Sequence, residues 1–193
     1  GEKDATNPYA YLLQTYFLNR RFAMIKEAMK NDNNILDRSI YEDEIFMKMN
    51  TEMGNATKVE YDIYKSLLNN MMEELPYAAH KKSPDLMITI KVSYETMIRR
   101  IIKRGRDYEQ IEKDPSLVDY YHRLLSHYDD WMDEYDESPL LIIDGDKYDF
   151  VADVKDRVKI LETIEDKLYD LGNLEQTKVD ELRKAHLEIL KQQ

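Results

Sequence analysis

The chain has 193 residues, 42% of them hydrophobic, enough to bury one substantial core in a single domain. Its formal net charge of -11 argues against a nucleic-acid polymer or an anionic membrane as the main partner, because most of the surface would repel either. Without cysteine it has no disulfide framework and no thiolate chemistry, and no apolar run reaches the roughly 18 residues expected of a membrane span.

From Asn7 to Lys30 the spacing predicts a helix: Pro8 suits a first helical position, and Leu12, Tyr16, Ile25 and Met29 sit among other apolar residues at helical intervals. Gln14 and Arg21 lie two turns apart and share a face of it. In "NNILDRS" a turn leads into a short apolar strand, Ile35-Leu36, that runs directly into Asp37-Arg38-Ser39. Helical spacing returns over 40–50 and 58–75, either side of a loop at Gly54-Asn55. "LMITIKV", Leu86 to Val92, is a β-branched run that predicts a strand, and Ser93 suits the cap of the helix after it. "LLIIDGD", Leu140 to Asp146, predicts a further strand ending in acidic turn residues, followed by an amphipathic helix over 153–170 and a highly charged helical segment over 177–191. Helices alternating with short, nearly all-apolar strands predict an α/β architecture around a parallel sheet covered on both faces.

The helix after Ser93 carries "MIRRIIKRGRDYEQ". Met97, Ile98, Ile101 and Ile102 fill one arc of roughly 140° on a helical wheel, and Arg99, Arg100, Lys103 and Arg104 fill the opposite arc. Cations in a last helical turn complement the macrodipole, and Gly105 suits the position just past the end, so a purely structural account exists. The arginine concentration, with Arg106 and Glu109 following, also suits phosphoryl transfer, whose transition state is stabilised mainly by positioning and positive charge. In open α/β sheets ligands gather beyond the carboxyl ends of the strands, where Asp37-Arg38-Ser39 and Asp144-Gly145-Asp146 are expected.

Four motifs in order, "LLQTYFLNRR", "LDRSIYED", "RIIKRGRDYEQ" and "DGDKYDF", resemble the deoxynucleoside kinases, most closely the bacterial deoxyadenosine/deoxyguanosine kinases. The resemblance covers about residues 7 to 170. It implies a P-loop-kinase fold with a five-stranded parallel sheet and a helical LID, and ATP-dependent phosphorylation of the 5′-hydroxyl of a deoxynucleoside in nucleotide salvage, with Mg2+. It further implies that Gln14, Arg21 and Asp43 face the base, that Arg38 lies beside the reacting hydroxyl, and that Asp37 belongs to the magnesium environment. The stretch "MIRRIIKRGRDYEQ" would then be the LID, with Arg100 against the donor adenine, Arg104 and Arg106 closing on the transferring phosphates and Glu109 on the sugar 3′-hydroxyl, and the turn Asp146 to Phe150 bordering that adenine. A cytoplasmic dimer is implied as well, built on the first helix and the methionine-rich 59–75 helix.

The family's glycine-rich phosphate loop, G-x-x-x-x-G-K-[ST], has no counterpart among the five glycines, nor is the acidic base after the second strand present. Both belong to a segment that would precede Gly1. The expectation is a kinase domain at 1–172 without its first strands and P-loop segment, then a charged helical tail at 173–193, with little activity in these 193 residues alone. A rival reading is a non-catalytic dimerisation or scaffold chain of the same family. A nucleoside-monophosphate kinase is disfavoured by the Gln14/Asp43 pair and the RGRxxEQ spacing. The four histidines, at 80, 122, 127 and 186, show no zinc-ligand spacing, and the aromatics Tyr120, Tyr121, Tyr128, Trp131 and Tyr135 are expected to pack against the sheet or the LID.

Overall fold

The computed structural model describes residues 6–78 and 83–191, so His80 falls outside it. Two compact units are formed, one from the chain up to residue 82 together with 119–134, the other from 83–118 together with 135–193.

The first unit is helical. It contains α1 (Ala10–Ala28), a 3-10 turn (Ile40–Glu42), α2 (Asp43–Glu52), α3 (Lys58–Ala78) and all but the first two residues of α5 (Leu117–Glu134). Leu18 and Ile25, seven residues apart on α1, meet Met47 of α2 and Tyr64 and Leu68 of α3 in one buried cluster with Ile40 and Ala56. Leu18, Met47 and Tyr64 are fully buried, and each large apolar side chain removed from water contributes about 1.5–3 kcal/mol. Two capping boxes set where helical backbone begins. The Ser39 hydroxyl accepts from the Tyr41 N–H (3.0 Å) while the Glu42 carboxylate accepts from the Ser39 N–H (3.2 Å), and Thr57 and Glu60 do the same for α3.

The expected strand Ile35-Leu36 is not one: it joins no ladder among the described residues, and Ile35 is almost wholly exposed. Two residues in extended conformation have no stability of their own without a neighbour to take their N–H and C=O groups.

The second unit carries the sheet: β1 (Met87–Lys91) and β2 (Leu140–Asp144) run parallel, in register from Met87 opposite Leu140 to Lys91 opposite Asp144. Between them in sequence lie α4 (Tyr94–Arg104) and a 3-10 turn (Asp107–Glu109); α6 (Val154–Asp170) and α7 (Gln176–Lys191) follow. The α/β class with a parallel sheet stands, with two strands in the described residues rather than five. Full cover of both faces does not stand, since Ile88 and Ile90 point to one face, Ile142 to the other, and all three are exposed.

Ser93 caps α4, accepting from the Thr96 N–H, and Gly105 follows its end at φ 72°. Gly145 permits the close approach beyond β2, where an added Cβ would lie 2.6 Å from Val92 Cγ1 and 2.8 Å from Ile90 Cγ2. The segment over 177–191 folds as α7, tied to α6 by Arg183, which reaches Glu165 and Asp166, and by His186 against Glu165 (3.3 Å).

Candidate functional site

In the first unit, Arg21 comes from the fourth turn of α1 and Asp43 from the start of α2, where Ser39 and Glu42 fix the preceding turn. Arg21 Nε donates to Asp43 Oδ2 at 2.6 Å, and the Tyr64 hydroxyl, fully buried, donates to the Asp43 carbonyl at 3.4 Å. Burial pushes the Asp43 carboxyl up to about 6 against the opposing pull of Arg21. Gln14, half-buried, lies two turns before Arg21 on the same face of α1. An amide, a guanidinium and a carboxylate therefore belong to one neighbourhood of α1 and α2, a donor and acceptor set suited to the edge of a heterocyclic base.

Asp37 and Arg38 are exposed, and Arg38 holds a left-handed backbone at φ 71°. Its guanidinium lies over the ring of Phe46, 4.9 Å from the centroid. Two of the α5 aromatics, Trp131 and Tyr128, pack here within the first unit. Trp131 Nε1 donates to the Tyr41 carbonyl at 3.0 Å, and the Tyr128 ring meets Phe46 and Trp131 edge to face. Burial, then the Glu42 charge, raises the Tyr128 phenol above its usual range. A stripe of aromatics announces burial without naming the partner.

In the second unit, Arg104 and Arg106 converge on Glu109, at 2.6 Å and 3.4 Å. Gln110 donates to the carbonyls of Ile101 (3.2 Å) and Arg106 (3.0 Å), clipping the RGRDYEQ turn to the end of α4. Arg100 belongs to the arginine-rich arc of α4. It is half-buried and donates to the carbonyls of Gly145 (2.6 Å) and Tyr148 (3.2 Å), which holds the turn that runs from Asp146 to Phe150. The Ser93 N–H and hydroxyl donate to Asp146, and hydrogen bonds from Thr96 and Ser93 keep its carboxyl below the usual range. Phe150 is half-buried, and its carbonyl accepts from Arg157 Nε at 2.9 Å.

The first unit thus joins Arg21 to Asp43, and the second joins Arg104 and Arg106 to Glu109 and Arg100 to the turn at Asp146. Asp37 is a single carboxylate, and no cluster of three or more His, Cys, Asp or Glu gathers among the described residues. That donor set fits Mg2+, which takes one or two protein carboxylates and completes its shell with water and phosphate oxygens. Phe46 escaped the sequence reading, and Trp131 and Gln110 were read without the carbonyls they meet. Only Glu42 left a readable signal, as the fourth residue of the capping pattern Ser39-Ile40-Tyr41-Glu42.

Residues 3–169 match the family model for deoxynucleoside kinase. The chain is 56% identical to a deoxyguanosine kinase of Lactobacillus acidophilus over 166 residues, covering 86% of this chain and 72% of that protein. It is 50% identical to a deoxyadenosine kinase of the same organism, covering 86% and 77%. A solved structure of deoxyadenosine kinase from M. mycoides with bound dATP superposes with a TM-score of 0.62 at 28% identity, covering 83% of this chain and 82% of that one. The chain belongs to the deoxynucleoside kinase family and is by family a phosphotransferase.

Proposed function

We propose that this member of the deoxynucleoside kinase family transfers the γ-phosphoryl group of ATP to the 5′-hydroxyl of a purine deoxynucleoside, in the cytoplasm. The observation that carries the reading is the buried Arg21–Asp43 pair with Gln14 on the same face. A carboxylate accepts from the N–H groups of a purine edge and a guanidinium donates to its ring nitrogens or carbonyl, so the pair suits both adenine and guanine. The names of the relatives at 56% and 50% identity support the same two bases.

In this reading Arg38 stands beside the 5′-oxygen as it forms its new bond to phosphorus and ADP departs. Arg104 and Arg106 leave Glu109 for the phosphoryl oxygens, which frees the Glu109 carboxylate to accept from the sugar 3′-hydroxyl. Arg100 and the turn from Asp146 to Phe150 border the donor adenine. Asp37 would hold Mg2+, directly or through water, and the ion when bound would offset phosphate charge. A dimer is part of the proposal. Leu12, Leu13, Tyr16 and Phe17 on α1 and Val59 and Ile63 on α3 are exposed, a larger apolar surface than a solvated helix needs.

The test is a panel of deoxyadenosine, deoxyguanosine, deoxycytidine and the nucleoside monophosphates, each with ATP and Mg2+ and the full-length protein. Transfer to the two purine nucleosides above deoxycytidine, and none to monophosphates, is the expected order. Preferential transfer to a monophosphate would overturn the reading.

A further inference from the structure

We propose that Phe46 is a positioning residue for Arg38: its ring is a shelf that holds the guanidinium by one face and leaves the hydrogen-bonding rim open. The inference rests on the role given to Arg38 in the proposed function. The other candidate arginines are held by their N–H groups, Arg21 by Asp43, Arg104 and Arg106 by Glu109, and Arg100 by two backbone carbonyls. Arg38 is held differently, with Cζ 4.9 Å from the ring centroid of Phe46. A guanidinium carries its five N–H donors around the rim of its plane, so a stacked ring attracts the cation without using any of them. A carboxylate partner would occupy two donors and cancel the charge that a phosphoryl group needs.

The shelf is itself fixed. Phe46 is half-buried on α2, and Tyr128 presents to it at 6.3 Å and 79° between planes. Tyr128 in turn meets Trp131 at 6.4 Å and 76°. Trp131 closes the circuit through its bond to the Tyr41 carbonyl, three residues after Arg38. The chain of contacts therefore leaves the backbone at Arg38 and returns to it at Tyr41. Arg38 also keeps a left-handed backbone, φ 71°, that residues other than glycine rarely adopt, so the surrounding contacts over-determine its position.

The experiment compares Phe46→Leu, which keeps apolar bulk and loses the ring, with Phe46→Tyr, which keeps the ring, in the full-length protein. Phe46→Leu is expected to lower kcat about 3- to 30-fold with the nucleoside KM nearly unchanged, and Phe46→Tyr to restore kcat. Without substrates, the Arg38 side-chain NMR resonances should show an upfield ring-current shift that Phe46→Leu abolishes and Phe46→Tyr retains. Unchanged kcat in Phe46→Leu, equal loss in both variants, a change in KM alone, or no ring-current shift in the wild type would each overturn the shelf. Absence of transfer by the wild type, with the ring-current shift present, would instead overturn the proposed function and with it the catalytic purpose of the shelf.

Discussion

Arg21 and Asp43 in the first unit meet with side chains only 14% and 5% exposed, whereas Arg104 and Arg106 in the second are 49% and 53% exposed and share Glu109. A buried pair is fixed before any ligand arrives, because separating it strands a charge out of water. Exposed pairs are worth about 0–1 kcal/mol and exchange partners readily. In the proposed function the first unit recognises the base, and the second lets go of one carboxylate to take another anion.

The sharpest way to break this comparison is Arg104→Ala in the full-length enzyme. Turnover should fall about 100-fold or more, as for loss of one charge-stabilising donor, with nucleoside affinity nearly kept. A change in affinity alone would remove Arg104 from the phosphates.

Next comes Arg21→Met, expected to cost about 3 kcal/mol at pH 7 by urea unfolding, against less than about 1 kcal/mol for Arg106→Met. Equal costs would erase the contrast between the units. The sign with pH follows from Asp43, whose folded carboxyl titrates at about 6, above its ordinary 3.8. The folded state holds that proton more tightly than the unfolded chain, so the contribution of Asp43 is largest below pH 4 and is lost as pH rises through 6. Without Arg21 the carboxyl moves higher still, and the deficit of Arg21→Met should shrink between pH 7 and pH 5. A deficit independent of pH would mean that Asp43 is not the group left stranded.

Smaller effects test the frames that carry the two charge sets. Gly145→Ala places a methyl 2.6 Å from Val92 and should cost about 1–3 kcal/mol in thermal unfolding. Smallest is Ser39→Ala, which removes one cap from the turn before Asp43 and should cost about 1 kcal/mol by the same measure. A neutral Gly145→Ala would show that the strand ends can part, and so that the turn held by Arg100 is not rigid.

Local chemistry was legible in the sequence. Helical periodicity gave α1, α4 and α6, Ser93 and Gly105 marked the ends of α4, and the RGRxxE spacing brought Arg106 within reach of Glu109. Contacts between distant residues were not. Arg21 and Asp43 are 22 residues apart, and Trp131 and Tyr41 are 90 apart. No period connects such pairs: the resemblance alone set Arg21 and Asp43 at one base, and only the packing brings Trp131 to Tyr41. The helical wheel put Arg100 on the basic arc without naming its partners, because a long side chain turns to whatever carbonyls lie near. Ile35-Leu36 failed as a strand because apolar β-branched character describes one segment, and a ladder requires two.

Trp131 is the sole tryptophan in the sequence, and its indole N–H binds the carbonyl of Tyr41 in the turn between Arg38 and Asp43. Its emission colour depends on what that N–H meets, so the protein carries an unlabelled optical gauge of this one turn. Displacing the turn would exchange a carbonyl for water and shift the light to the red.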